Sequence, residues 1–350
     1  MSAPLNVTRR VPYVRLGSSG LKISRIVLGC MSYGTPDWEK WVLSEEEGIA
    51  HIKFAYENGI QTFDTADLYS NGLSEVVLGK AIKQLSLPRE EIVIMTKLYF
   101  VVSRTASEII YPPTSGEKAG YVNQFGLSRK HIFDGVKRSL ERLGVEYIDV
   151  LQCHRFDENT PIAETMQALH DVVKAGYVRY IGMSSCWAWQ FHAMQNYAIA
   201  HNLTPFISVQ NHYNLIYREE EREMMPTLKH FGVGSLPWSP LARGALTRPF
   251  GGGSDSVRAG NDVWVNEYTK EPGNLAVVQR VEELAKKYNK NMAQIALAWM
   301  LTKDVVSAPI VGTTSLEKLS DLIGAVDIKL SSDDVKYLEE PYKPMAVIGH

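Results

Sequence analysis

Four side chains in this sequence have the types and placement to move a proton while a carbonyl carbon gains or loses hydride. Apolar, β-branched runs end abruptly in ionisable residues: Phe63 runs into Asp64, Met95-Thr96 into Lys97, and Leu151-Gln152-Cys153 into His154. Tyr69 follows Asp64 on the same outgoing segment. Reducing a carbonyl requires a proton at oxygen as hydride reaches carbon. A free phenol, with a pKa of about 10, donates reluctantly near neutrality. An adjacent ammonium stabilises the phenolate and lowers that value. The ammonium stays charged in a dry site only beside a carboxylate. The roles that follow are Tyr69 as acid, Lys97 as its electrostatic tuner, Asp64 as partner of Lys97, and His154 as the donor that orients the carbonyl oxygen. Singly, each has an ordinary explanation, Asp64 as a helix cap and His154 as a satisfied core histidine. Their combination is what points to chemistry. A Schiff-base aldolase is an alternative, with a desolvated Lys97 as nucleophile.

The elements that must bring these residues together alternate along the chain. Strands are predicted at Ile26–Leu28, Gln61–Phe63, Ile92–Met95, Ile148–Leu151, Val178–Ile181, Phe206–Val209, Val233–Leu236 and Ala308–Val311. Amphipathic helices are predicted between them, at Glu45–Asn58, Ser74–Leu85, Arg129–Leu143, Ile162–Ala175, Trp187–Ala200, Glu219–Phe231 and Leu275–Leu301, the last broken near Asn289. Two more, Leu316–Gly324 and Ser332–Glu339, follow the final strand. Strand–helix alternation with short links implies right-handed βαβ units and a parallel sheet. Eight strands make a closed (β/α)8 barrel the natural count, although a doubly wound sheet shares the alternation. In a barrel, three successive strand ends converge at one mouth. Val11–Ser24 reads as a hairpin ahead of the barrel. Tyr99–Gly126 and Ala242–Gly273 are long loops leaving strand C-termini and read as lids.

With 350 residues, 45% of them hydrophobic, the chain can bury a large core, and we expect one domain over 1–350 with its barrel core at 25–325. A net charge of −2 gives no basic excess for nucleic acid. Cys30, Cys153 and Cys186 are too few and scattered for a disulfide framework or a metal cluster. No apolar run is long enough for a membrane span, and no leader is evident. The expectation is a cytoplasmic protein without metal, membrane or nucleic-acid partners.

The segment Gly59-Ile60-Gln61-Thr62-Phe63-Asp64-Thr65-Ala66-Asp67-Leu68-Tyr69, continued by Ser74-Glu75 and Leu78-Gly79, resembles the first signature of the aldo-keto reductase superfamily. Ser139-Leu140-Glu141-Arg142-Leu143-Gly144, Tyr147-Ile148-Asp149 and His154-Arg155 resemble the second, and Met95-Thr96-Lys97 matches the lysine motif. The similarity runs from Val14 to the end of the sequence. It is nearest in character to the aryl-alcohol dehydrogenase-like and potassium-channel β-subunit-like branch. The resemblance implies a TIM barrel, and a catalytic tetrad at Asp64, Tyr69, Lys97 and His154. It also implies NADPH or NADP+ bound in an extended pose, and no Gly-rich dinucleotide turn is found here.

By the same resemblance, Ser185 and Gln210 hold the carboxamide, Ser184 is a further cofactor contact, and Trp238 stacks on the nicotinamide. Gly29, Met31, Asp64, Ser239, Pro240 and Leu241 line the cofactor. Gly312, Thr314, Lys318 and Asp321 hold the adenosine phosphate at a helix N-terminus. Arg243, Arg258 and Lys318 meet the additional phosphate that distinguishes NADPH. Trp38, Tyr99 and Trp187, with Tyr69 and His154, are expected to face a small carbonyl or alcohol substrate; Trp41 and Tyr213 are further wall candidates. The branch also admits a nicotinamide-binding regulatory subunit. His350 is expected to be solvated.

Overall fold

The computed structural model describes residues 5, 7–8, 10–249, 268 and 272–350. Period-two alternation builds its centre. On β5 (Val93–Leu98), Val93 and Met95 join an inner apolar cluster, while Ile94 and Leu98 join the layer beneath the helices. On β6 (Ile148–Cys153), Val150 is inside and Leu151 and Cys153 are outside. Strands carrying apolar residues on both faces suit a parallel sheet covered by helices.

The remaining parallel strands are β3 (Val27–Gly29), β4 (Thr62–Asp64), β7 (Val178–Ser184), β8 (Phe206–Gln210), β9 (Gly234–Ser235) and β10 (Ile310–Val311). Their order is β10-β3-β4-β5-β6-β7-β8-β9. The seam closes through Ser235 N–H to Val305 O at 3.0 Å, Ser307 N–H to Ser235 O at 2.9 Å and Ile310 N–H to Pro237 O at 2.9 Å. The result is a (β/α)8 barrel.

Its floor is plugged by the expected hairpin, β1 (Tyr13–Arg15) and β2 (Lys22–Ser24), whose Leu16 and Ile23 enter the inner cluster with Val27, Val93, Val150 and Ala308. Gly17 turns the hairpin at φ 58°, and a Cβ there would fall 2.5 Å from Gly232 O, so both backbone and space require glycine.

Helices α1 (Glu45–Glu57), α2 (Leu73–Gln84), α3 (Arg129–Leu143), α4 (Ile162–Lys174), α5 (Ala188–Ala200) and α6 (Met224–Phe231) return the chain between strands. α1 begins at a reciprocal Ser44–Glu47 capping box. α3 is capped by Ser128 and stopped by left-handed Gly144, and buries Ile132, Val136, Ser139 and Leu143 along one stripe. α7 (Pro272–Tyr288) and α8 (Met292–Leu301) are the two parts of the helical stretch expected to break near Asn289. The break falls at Asn289, whose φ is 49°. α9 (Leu316–Ile323) and α10 (Ser332–Glu339) close the chain.

The expected helix from Glu219 is not continuous: Glu219–Glu221 form a short 3-10 turn before α6. Their carboxylates are drawn elsewhere, Glu219 to Tyr342 Oη and Met345 N–H, Glu220 to Asn211 Nδ2, and Glu221 to Arg218. Among the described residues, no helix is long and apolar enough to cross a membrane.

Candidate active site

The inward-facing parity that places Val93 and Met95 in the core places Lys97 next, at the mouth, where it is fully buried. Its ammonium donates to Asp64 Oδ2 at 2.6 Å, Thr65 O at 2.9 Å and Tyr69 Oη at 3.2 Å. Asp64 is 2% exposed, and its other oxygen accepts from Gln152 Nε2 and Gln210 Nε2, each at 2.9 Å. Gln210 Nε2 also reaches Gln152 Oε1 at 3.0 Å. Inward-facing Gly182 makes room for this layer: a Cβ there would sit 2.6 Å from Ser208 Oγ and 3.2 Å from Gln152 Cγ.

His154 completes the group, its ring perpendicular to Tyr69 with centroids 5.9 Å apart. Asp64, Tyr69, Lys97 and His154 are thus together at the C-terminal mouth.

Electrostatics refine the expected roles. Burial, the largest single influence on Lys97, pushes its pKa down, but Asp64 and Tyr69 together outweigh it and hold the ammonium above its ordinary value. A lysine kept protonated is a poor Schiff-base nucleophile. Burial raises the Tyr69 phenol, and the Lys97 charge offsets only part of that rise. The expected net lowering is therefore reversed: desolvation of the phenolate exceeds what one ammonium, itself shared with Asp64, can return. Burial, reinforced by Lys97 and Arg155, holds His154 well below its usual range, so the imidazole is neutral. Its Nδ1 is buried without a partner among the described residues.

The opposite side of the mouth carries rings and amides. Trp238 donates from Nε1 to Ser185 Oγ at 3.0 Å and is stacked on His212, with centroids 4.2 Å apart and planes 11° apart. His212 is stacked in turn on Tyr217. Ser184 Oγ donates to Gln210 O at 3.0 Å, and Ser239 O accepts from Asn214 Nδ2 at 3.0 Å. Half-buried Met31 follows Gly29 at the end of β3; Pro240, Leu241 and Arg243 follow Trp238. The half-buried Trp238, backed by His212 and fixed at its Nε1, is a rigid flat surface that fits a nicotinamide ring.

Beyond β10, Gly312, Thr314 and Lys318 are exposed. Ser315 caps α9 by accepting from Lys318 N–H, while Asp321 Oδ2 accepts from Asn291 Nδ2 at the start of α8. Arg258 lies outside the described residues, as does most of the loop 242–273.

Among the wall candidates, Trp38 packs beside Tyr69 with Trp41 behind it. Tyr99 packs on Phe100 and Phe125. Trp187 is 44% exposed. Tyr213 is not a wall: it is fully buried against Trp299, its hydroxyl on Glu221. His350 is not solvated either, since its imidazole lies 3.0 Å from Glu220 Oε1 and edge-on to Trp187.

Sequence reasoning assigned no role to Gln152 or to the pair Ser70-Asn71, although Ser70 stands where glycine is frequent in the family the sequence resembles. Both members of the pair sit in the left-handed region, at φ 49° and 50°. Ser70 Oγ accepts from Thr35 N–H at 3.3 Å. Asn71 Nδ2 donates to the carbonyls of Thr105, Ala106 and Glu108, and its Oδ1 accepts from Ser103 N–H. The segment holding Tyr69 is thereby tied to the loops on both sides. Loop 99–126 has a packed centre of its own in Tyr121, which is 1% exposed and bonded to Glu108 and Arg104 N–H.

Residues 25–343 match the sequence profile of the aldo/keto reductase family. The chain is 48% identical to versiconal hemiacetal acetate reductase of Aspergillus parasiticus over 339 residues, 96% of this chain and 98% of that one. It is 49% identical to a putative aryl-alcohol dehydrogenase of Schizosaccharomyces pombe over 344 residues, 96% and 97% of the two chains. A putative aryl-alcohol dehydrogenase of Saccharomyces cerevisiae is 45% identical over 339 residues, 95% and 98%.

Proposed function

The chain belongs to the aldo/keto reductase family, and from that premise we propose that it reduces aldehydes or ketones with NADPH, and in reverse oxidises alcohols, aryl alcohols among them. The observation that carries this reading is the buried Lys97 ammonium bonded at once to Asp64 and to Tyr69 Oη.

When bound, the nicotinamide supplies or takes the hydride. Tyr69, kept protonated by burial, donates to the carbonyl oxygen. Lys97 limits the cost of the phenolate left behind, and Asp64 keeps Lys97 charged. Neutral His154 offers a ring N–H that holds the carbonyl oxygen in line. Trp238, Ser184, Ser185 and Gln210 are the residues that would hold the nicotinamide. Gly29, Met31, Ser239, Pro240, Leu241, Gly312, Thr314 and Asp321 would line its extension, with Arg243, Arg258 and Lys318 on the distinguishing phosphate of NADPH. Trp38, Tyr99 and Trp187 suit an apolar or aromatic substrate body. Three buried cysteines outside any disulfide support a reducing, cytoplasmic setting.

The test is NADPH oxidation with a panel of aromatic aldehydes. Tyr69→Phe is expected to lower kcat/KM by about 10²- to 10⁴-fold while NADPH still quenches tryptophan fluorescence. Near-normal turnover by that variant overturns the assignment, and equal efficiency with NADH overturns the cofactor preference.

A further inference from the structure

The residue after His154 has no place in the chemistry above, and its surroundings are unusual. Arg155 is half-buried at the mouth. Its Nη1 donates to His154 O at 2.5 Å, and its guanidinium lies 5.9 Å from the centroid of Phe100. Burial lowers its pKa, and the groups that oppose this, Tyr69, Cys186, Tyr111 and Tyr99, come from three different loops of the mouth. Among the described residues no carboxylate lies within ion-pair distance of it, and its remaining N–H donors have no protein acceptor.

Other withdrawn arginines here are compensated. Arg142 pairs with Glu75, Arg89 with Asp149, and Arg218 with Glu221 and Glu339. Arg25 has no carboxylate among the described residues but donates to the carbonyls of Leu301, Val306 and Ser307. Asp157, the acid nearest to Arg155 in sequence, is committed to Leu127 N–H, Asn159 N–H and Thr160 Oγ. A guanidinium drawn partly out of water without a counter-charge is costly, and a planar fork of donors matches a carboxylate.

We infer that Arg155 is a substrate anchor, and that the site favours carbonyl compounds bearing a carboxylate or comparable anionic oxygen. This rests on the reductase reading and narrows its substrate class. The aromatic side chains around Arg155 hold the body of such a molecule, the guanidinium holds its anionic end, and Tyr69 and His154 meet its carbonyl. Arg155 binds the substrate without taking part in proton or hydride transfer.

The experiment compares 4-carboxybenzaldehyde with neutral 4-methylbenzaldehyde in the full chain, in Arg155→Met and in Arg155→Lys. The wild-type ratio of kcat/KM should favour the carboxylate by tenfold or more, carried mainly by KM. In Arg155→Met the ratio should fall by about 10- to 100-fold, and Arg155→Lys should restore part of it. A wild type without preference overturns the anchor, and so does an Arg155→Met variant that slows both aldehydes equally. Calorimetry on the NADP+-loaded protein keeps the two readings apart. Binding of 4-(hydroxymethyl)benzoate tenfold tighter than 4-methylbenzyl alcohol, lost in Arg155→Met, supports the anchor even if neither aldehyde is turned over, a result that would sink only the reductase reading. Equal binding of the two alcohols counts against Arg155 alone.

Discussion

From β4 to β6 the mouth is lined by ionisable groups that fix one another: the Lys97 ammonium lies between Asp64 and Tyr69, and Asp64 is closed on its far side by Gln152 and Gln210. From β7 to β9 it is lined by hydroxyls, amides and a run of stacked rings, Trp238 on His212 on Tyr217. Gln210 touches both sectors, its side chain on Asp64 and its carbonyl on Ser184. The first arrangement is strong but unforgiving, because each charge depends on its neighbour in a dry site. The second offers shape and a flat face, and tolerates loss of one member better. The proton handling and ring recognition proposed above would thus rest on different forces a few side chains apart.

Removing one charge should expose this contrast most sharply. Asp64→Asn leaves the buried ammonium without its counter-charge and is expected to cost about 3–5 kcal/mol of stability. Urea unfolding should show it as a lower midpoint, with reduction failing in the surviving folded protein. A loss below about 1 kcal/mol would mean the pair is not the mainstay of its sector. Trp238→Ala on the other side should weaken cofactor binding by about 1–3 kcal/mol, the usual worth of one stacking contact. That would raise the KM for NADPH roughly 5- to 150-fold, with a much smaller change in kcat. If kcat collapsed while KM held, the division between the sectors would be wrong.

The mildest discrimination comes from pH. Lys97 and Tyr69 both have pKa values raised in the folded protein, so their contribution is present below the unfolded values, about 10.5 and 10, and is lost as pH climbs through the folded ones. His212 goes the other way. Burial, with Arg243 adding to it, depresses its imidazole to about 3, so stability is full above the unfolded value of about 6.5 and drains away as pH falls. By pH 5 that amounts to about 2 kcal/mol. Urea midpoints across pH should fall on both limbs, and His212→Asn should flatten the acid one alone.

Much of this is legible in the sequence alone. Strands announced themselves because apolar runs on both faces stop where the barrel opens, and that stop is why Asp64, Lys97 and His154 stood out. Gln152 escaped notice for the same reason, as a polar residue inside a run that otherwise reads as core. Its parity with Val150 was the available signal. Tyr213 misled because an aromatic just past a strand looks like a pocket wall, whereas the later packing of α8 brings Trp299 over it. The direction of the Tyr69 shift was also beyond the sequence, since it depends on how completely water is excluded. Left-handed backbone at Ser70 and Asn71 has no signature in residue type at the first of these positions, where a serine accepts a conformation that glycine adopts freely.

That pair also couples two properties an engineer would like to change separately. Asn71 grips four backbone positions between Ser103 and Glu108, and it is two residues from Tyr69. Replacing the 99–126 segment to admit a bulkier molecule would slacken the foothold of the phenol, unless the exchanged segment kept a ring of carbonyls for the amide to hold. Altered selectivity obtained that way should therefore arrive with slower turnover, and grafts that preserve those carbonyls should escape the penalty.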